Sequence, residues 1–329
     1  MMIRKIFTPI TRAAVGLVCS LALCIAAAQD YPSRPITLVV SYPAGGIVDL
    51  IGRLTGPELT KQLGRSVIIE NVSGASGTLG AAKVVAARPD GHTLLIGSGS
   101  EISIAKLVGL KVTYDGERDL SPISLVGSTP MVLVGGPKIK ANTLDELLAA
   151  AGAKPGQLTY ASTGIGTPTH IAGELIKMGG HVDITHVPYK GAPQIIPDLM
   201  GGHIELSIIT LSSALPFINS GKLKAFGVTE AKRSRAAPDI PALAENKSLA
   251  DVDIGIWWGL FAPAKTPAAI LQRLHKEFTE ALKQPKVIAK LTEQGASIVG
   301  NSPVEFQAFI RANTEKYRKI VQSANIRAE

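Results

Sequence analysis

From Pro35 onward the chain alternates short β-branched runs with longer stretches of helical period, and the series then starts again. Ile36 to Val40 reads as a buried strand, and Ile47 to Leu63 as a helix with Leu50, Ile51, Leu54 and Leu59 at helical spacing. Ser66 to Glu70 reads as a strand, Gly77 to Ala87 as a helix, Pro89-Asp90-Gly91 as a turn and Thr93 to Gly97 as a third strand. The order βαβαβ demands parallel strands with helices laid over them, because parallel neighbours need a crossover. A second series runs from the helix Thr143 to Ala151 to the strand Lys222 to Val228, so the chain is expected to build two α/β domains. An irregular Pro- and Ala-rich stretch follows, then a short strand from Ile254 to Ala262 and two amphipathic helices. Their stripes are Ile270, Leu271, Leu274, Phe278, Leu282 and Val304, Phe309, Ile310, Tyr317, Val321. Lacking a sheet of their own, these helices are expected to return to the first domain. Two segments would then cross between domains, near Pro130 to Val134 and near Ile254 to Leu260. The expected layout is an export segment over 1–28, a first lobe from 29–129 and 259–329, and a second lobe from 130–258.

The export segment has three parts. Arg4, Lys5 and Arg12 form a basic start, Ala13 to Ile25 is apolar, and Ala26-Ala27-Ala28 is a small-residue cleavage point. Cleavage near Ala28 would leave a free periplasmic protein. Cys24 would be a lipid attachment point only if Leu23, before it, were tolerated where such signals want a small side chain. Both cysteines lie in this segment, so the mature chain would carry no thiol and no disulfide. It would hold 31 Lys and Arg against 26 Asp and Glu, a net +5, with the charges scattered. The one basic cluster, Lys232-Arg233-Ser234-Arg235, reads as a solvated loop, since nucleic acid requires a continuous stripe. No nucleic-acid partner is expected.

Three strand-to-helix junctions are rich in glycine and hydroxyls: Tyr42 to Gly46, Ser73 to Gly77 with Thr78, and Ser162 to Thr167. Glycine lets bare N–H groups approach a ligand, and ligands of open α/β sheets lie at the carboxyl ends of strands. The three turns together suggest an anion pocket. The spacing Gly74-x-x-Gly77-x-x-Gly80 is not that of a dinucleotide site, and no turn has the Gly-Lys-Ser/Thr of a phosphate loop. Catalysis is not expected either: the mature chain has no cysteine and no G-x-S-x-G elbow, and its six histidines are not spaced as metal ligands. Neither metal nor cofactor is expected. His170, in the first turn of its helix, reads as a structural anchor or a ligand contact. Asp49 stands in the first turn of a helix where an anion would dock. It is expected to interact with that helix's own free N–H groups and favourable dipole end, holding the helix start rigid rather than touching the ligand.

Over nearly the whole mature length these motifs resemble the Bug-type extracytoplasmic solute receptors of tripartite tricarboxylate transporters. The resemblance rests on Pro35-Ile36, Pro43-Ala44-Gly45-Gly46 with Asp49 and Arg53, Glu70-Asn71 before Gly74-Ala75 and Gly77, and Pro89-Asp90-Gly91 before Thr93-Leu94-Leu95. It continues through Gly164, Gly166-Thr167 and His170, His186 to Gly191, Asp198-Leu199, Gly201-Gly202, Pro238 to Pro241, and Trp258-Gly259. It implies an α/β two-lobed periplasmic binding protein of type II, each lobe a mainly parallel sheet flanked by helices, joined by two crossing strands. It also implies a monomer that closes on a small organic acid and delivers it to a permease of one large and one small subunit. A receptor feeding a signalling partner is the alternative, and a periplasmic enzyme a more distant one. Carried over by position, the first lobe would offer Tyr42, Ala44, Gly45, Gly46, Ser73, Ala75, Ser76, Gly77 and Thr78. The second would offer Ser162, Thr163, Gly164, Gly166, Thr167, His170, Tyr189, Gly191 and Thr210. The chain departs from the pattern at Ser41-Tyr42, Ser76, His92, Ala242 and Ile209. Members commonly have an acidic or amide side chain where Ile209 stands, so the departure suggests a more apolar acid, aromatic or longer-chain, rather than an amino acid; the expected cargo is a carboxylate, aromatic or dicarboxylate.

Overall fold

The computed structural model describes residues 31–327. The expected export segment, its cleavage point and both cysteines lie outside the described residues. One sheet has six strands in the order β11-β4-β10-β3-β1-β2. These are β1 (Ile36–Val40), β2 (Val67–Asn71), β3 (Thr93–Ser98), β4 (Leu120–Thr129), β10 (Ile256–Pro263) and β11 (Ser297–Ile298). The other has five in the order β7-β6-β8-β5-β9. They are β5 (Met131–Gly135), β6 (Thr159–Ser162), β7 (Thr185–Pro188), β8 (Leu206–Thr210) and β9 (Lys224–Val228). Strands β2-β1-β3 and β7-β6-β8 are parallel, while β10, β4 and β11 in the first sheet and β5 and β9 in the second pair antiparallel. The sheets are therefore mixed. The βαβ units make the parallel half; the antiparallel half holds the crossing strands β4, β5 and β10 with the edge strands β11 and β9.

The period-2 alternation of each strand divides its side chains between two helical layers. In the first lobe, Leu38, Val40, Leu94, Ile96 and Leu260 pack with Ile51 and Leu59 of α1 (Ile47–Leu63) and with Leu274 and Phe278 of a later helix, Ala268–Leu282. Val39, Leu95 and Phe261 face the opposite layer, with Ala81 and Val84 of α2 (Thr78–Val85). In the second lobe, Leu133, Leu206 and Ile208 pack with Leu147 of α3 (Leu144–Ala153) and Ile171 and Ile176 of α4 (Pro168–Gly180). Val132, Val134 and Ile209 pack with Ile195 of α5 (Ala192–Gly201) and Leu211 of α6 (Leu211–Asn219). Ile209 is thus fully buried in an aliphatic core. Its side chain bears on packing and gives no information about the ligand, which removes the inference drawn from that departure.

The remaining helices of eight or more residues among the described residues are α7 (Ala268–Leu282), α8 (Pro285–Glu293) and α9 (Pro303–Ser323). In α9 the buried stripe is Phe306, Ile310, Tyr317, Ile320 and Val321, while Val304, expected on it, is 80% exposed. The helix does not belong to one lobe only. Phe306 and Ile310 join Trp257 and Phe261, whereas Tyr317, Ile320 and Val321 share a core with Ile171 and Ile176 of the second lobe. The chain passes between sheets at Pro130, from β4 into β5, and again ahead of β10. The crossings are tied where Thr229 N–H donates to Met131 O at 2.9 Å and Ile254 N–H donates to Thr229 O at 2.7 Å.

Candidate functional site between the lobes

Strands β1, β2 and β3 run parallel, so their carboxyl ends emerge together. Turn 42–46 follows β1, turn 73–77 follows β2, and the hydroxyl-rich segment Ser98 to Ser103 follows β3. In the second lobe, turn 162–167 follows β6, Tyr189 to Gly191 follows β7, and Thr210 ends β8. The lobes approach one another here: Ser76 Oγ lies 3.5 Å from Ile165 O, and Gly166 lies against Val108.

Within the first lobe, Ala44, Gly45, Gly46, Ser73 and Ala75 are exposed, while Gly77 and Thr78 are buried. Asp49, only 3% exposed, lies beneath the first turn. Its Oδ2 accepts from Gly45 N–H at 2.9 Å and Arg53 Nε at 2.8 Å, and its Oδ1 from Asn71 Nδ2 at 2.9 Å. The same amide group of Asn71 donates to Tyr42 O at 3.0 Å. Its partner in the backbone is therefore the turn amide before the helix, so the carboxylate fixes the turn to α1 and to the end of β2. Burial alone would raise the pKa of Asp49, but Arg53, the Gly45 N–H and Asn71 together hold it below the ordinary carboxylate value.

The residue that joins both turns of this lobe is Glu101, 2% exposed and absent from the sequence-derived set. Its Oε1 accepts from Ser41 Oγ at 2.6 Å and Ser98 N–H at 2.8 Å; its Oε2 accepts from Ser98 Oγ at 2.7 Å and the Tyr42 hydroxyl at 2.9 Å. The Tyr42 hydroxyl also lies 3.4 Å from Ser76 O. A Cβ on Gly77, whose φ is +91°, would fall 2.8 Å from the Glu101 carboxyl carbon, so this position requires glycine on two counts. Burial pushes the carboxyl pKa of Glu101 above its ordinary value, against the pull of Ser41 and Ser98. The sequence carried one clue to it: a lone acid in Gly97-Ser98-Gly99-Ser100-Glu101-Ile102-Ser103, directly after a strand at the ligand-binding edge.

In the second lobe most hydroxyls are committed to shaping the turn. Thr167 Oγ1 donates to Gly164 O at 2.7 Å and lies 2.9 Å from Thr169 Oγ1, which accepts from Thr163 N–H at 3.0 Å. Ser162 Oγ meets His186 Nε2 at 2.7 Å. The His186 ring stacks on His170 with centroids 4.0 Å apart and an interplanar angle of 9°, and Gly166 N–H donates to His170 Nδ1 at 3.2 Å. Burial, then His170 and Lys177, holds the His186 pKa down to about 3; burial chiefly lowers that of His170. Both rings are thus neutral props beneath the turn. The Tyr189 hydroxyl donates to Asp198 Oδ2 at 2.7 Å, Gly191 caps α5, and Thr210 Oγ1 pairs with Ser213 Oγ at 2.7 Å. Tyr189 and Gly164 adjoin through their backbones, while Thr210 has only its α6 neighbour as a side-chain partner among the described residues. Among the described residues no cluster of three or more His, Cys, Asp or Glu side chains occurs in metal-binding geometry.

Two helix-flanked sheets joined by paired crossings, with turns of N–H and hydroxyl groups from both lobes meeting at one edge, define a solute-binding protein of the periplasmic type. Comparison with known proteins narrows the class. The profile of the tripartite tricarboxylate transporter family receptor, TctC, matches residues 51–326, and the chain belongs to that family. It is 32% identical to BugT of Bordetella pertussis over 296 residues, 90% of each chain. Its fold matches that of Rhodopseudomonas palustris Rpa4515, solved with adipate, at a TM-score of 0.82 and 30% identity, covering 91% of this chain and 99% of that one. It matches MatC of the same organism, solved with bound malate, at 0.79 and 30%, covering 88% and 100%.

Proposed function

We propose that this receptor captures a small organic acid between its lobes by hinge closure and hands it to a tripartite permease of one large and one small membrane subunit. The protein would act as a monomer in the periplasm, after cleavage near Ala28, without catalysis. The lobes would comprise 29–129 with 259–329, and 130–258, with α9 spanning the pivot.

The observation that carries this reading is the meeting of turns 73–78 and 162–167 at Ser76 and Ile165, beside turn 42–46. Their helices start at Ile47, Thr78 and Pro168, and the first-turn N–H groups, which Pro168 itself lacks, have no intrahelical acceptors. A carboxylate placed there would be held by neutral donors, since Arg53 is paired with Asp49. Micromolar capture requires about 8 kcal/mol, whereas one helix start supplies up to ~2 kcal/mol when partly buried. Water must therefore be excluded, and closure of the lobes would do that. The relatives solved with adipate and malate favour dicarboxylates as first candidates.

A thermal-shift panel of mono-, di- and tricarboxylates with aromatic acids tests the proposal. A ligand of the native state raises the melting temperature by mass action. At least one acid should raise it in a concentration-dependent way. A flat response across the panel, alongside stabilisation by a neutral or cationic solute, would reject an acid as the cargo.

A further inference from the structure

Glu101 is buried beneath the first-lobe turns and touches both of them and the end of β3. Both carboxyl oxygens are filled by donors from β1 and its turn (Ser41, Tyr42) and from the end of β3 (Ser98), and the carboxyl lies against Gly77 of the second turn. All four donors are neutral, and among the described residues Glu101 forms no ion pair. The titratable groups facing it are the Tyr42 and Tyr114 hydroxyls, the latter donating to its backbone carbonyl at 2.9 Å. On α2, Lys83 is paired with Glu70. Behind Glu101 lies a cavity of about 480 Å³, whose charged lining groups are Lys106, already paired with Asp115, Glu117, and Arg318 from α9.

An ionised Glu101 would put a buried negative charge directly beneath the turns that are to receive an anion. Two like charges in a site closed to water raise the proton affinity of the one that can take a proton. We infer that Glu101 takes up a proton from solvent when a carboxylate enters the cleft, so that the receptor binds anion and proton together. This rests on the cargo being an acid seated on these turns. The change requires no rearrangement: an O–H forms on one carboxyl oxygen, and a Ser41, Ser98 or Tyr42 hydroxyl rotates from donor to acceptor. The rise in the Glu101 pKa already caused by burial acts in the same direction.

Calorimetric titration with adipate and malate at pH 7 and above, where both acids are fully ionised, tests this in buffers of different ionisation enthalpy. Wild type should take up a proton, and its Kd should weaken by up to about tenfold per pH unit above the pKa of Glu101 in the free receptor. Glu101→Gln, which keeps the shape and, like the protonated carboxyl, donates to hydroxyls on one side while accepting on the other, should bind without proton uptake and with a flat pH profile. Ser41→Ala, which removes one donor to the carboxylate, should move the onset of the pH dependence upward. Binding by wild type without proton uptake between pH 7 and 9 overturns the inference, as does equal uptake by Glu101→Gln or an unmoved onset in Ser41→Ala. If Glu101→Gln does not fold, the wild-type buffer series and Ser41→Ala decide it. Failure of every acid in the carboxylate panel to bind would instead defeat the proposed cargo, and this inference with it.

Discussion

At the residue scale the first-lobe site is built on two buried carboxylates with different surroundings. Asp49 has a cation, Arg53, and ties turn 42–46 to its helix; Glu101 has only neutral donors. Asp49→Asn should lower stability by about 1–3 kcal/mol, the cost of weakening buried charged hydrogen bonds. It should change the affinity for the cargo less than about threefold, or under 1 kcal/mol. Chemical denaturation and calorimetry on the same variant check this; a larger loss of affinity than of stability would make Asp49 a ligand contact. His186 supplies a pH prediction. Its native pKa of about 3 lies below the unfolded value, so its contribution is complete above about pH 6.5 and is lost as pH falls toward 3. In that window the unfolded chain binds more protons, and stability should rise with pH by at most about 1.4 kcal/mol per unit from this group. Glu101, raised in the native state, works in the opposite sense above its unfolded value. The readout is therefore the difference between wild type and His186→Gln in urea melts from pH 4 to 7, which should show a shallower slope in the variant. Equal slopes would contradict a buried neutral His186. The three turns were legible in the sequence as glycine chemistry and Asp49 as a group that steadies the helix start, but it does so through Gly45 N–H, Arg53 and Asn71 and not through the helix's own N–H groups. Glu101 and the partner of His186 were not, because their roles come from strands that only the fold brings together.

At the element scale, strands and helices with unbroken periods were readable within a few residues, including β1, α1, β3 and α7. Four of the labelled strands and helices were not. Strand β4 carries Pro122 and three serines, α6 carries Pro216 and paired serines, α8 is a short helix behind a proline, and β11 is two residues long. In each the local pattern is weak, and pairing or packing against a neighbour decides the conformation. The stripe of α9 was misplaced for a related reason: Val304 is apolar but lies in the first exposed turn, and Phe306 fills the space left by Gly259 of β10. Phe306→Ala should cost about 3–5 kcal/mol, and Val304→Ala should stay within about 0.5 kcal/mol. Comparable effects of the two in denaturant melts would contradict this placement.

At the scale of the whole molecule, the two lobes share more than their crossing strands. Helix α9 is seated in the first lobe by Phe306 and Ile310 and in the second by Tyr317, Ile320 and Val321. A closing motion would therefore turn about the side where α9 and the Thr129 to Met131 crossing lie, with the turns 42–46, 73–78 and 162–167 at the moving edge. Capture by this receptor depends on where the acid sits. A crystal structure of the receptor with the acid that gives the largest thermal shift tests it most directly. The account predicts density for one carboxylate on the N–H groups of the first-lobe turns, with Ser162 to Thr167 closing over the same molecule. Density confined to the cavity lined by Lys232 and Lys316, or to one lobe alone with the other turned away, would contradict it.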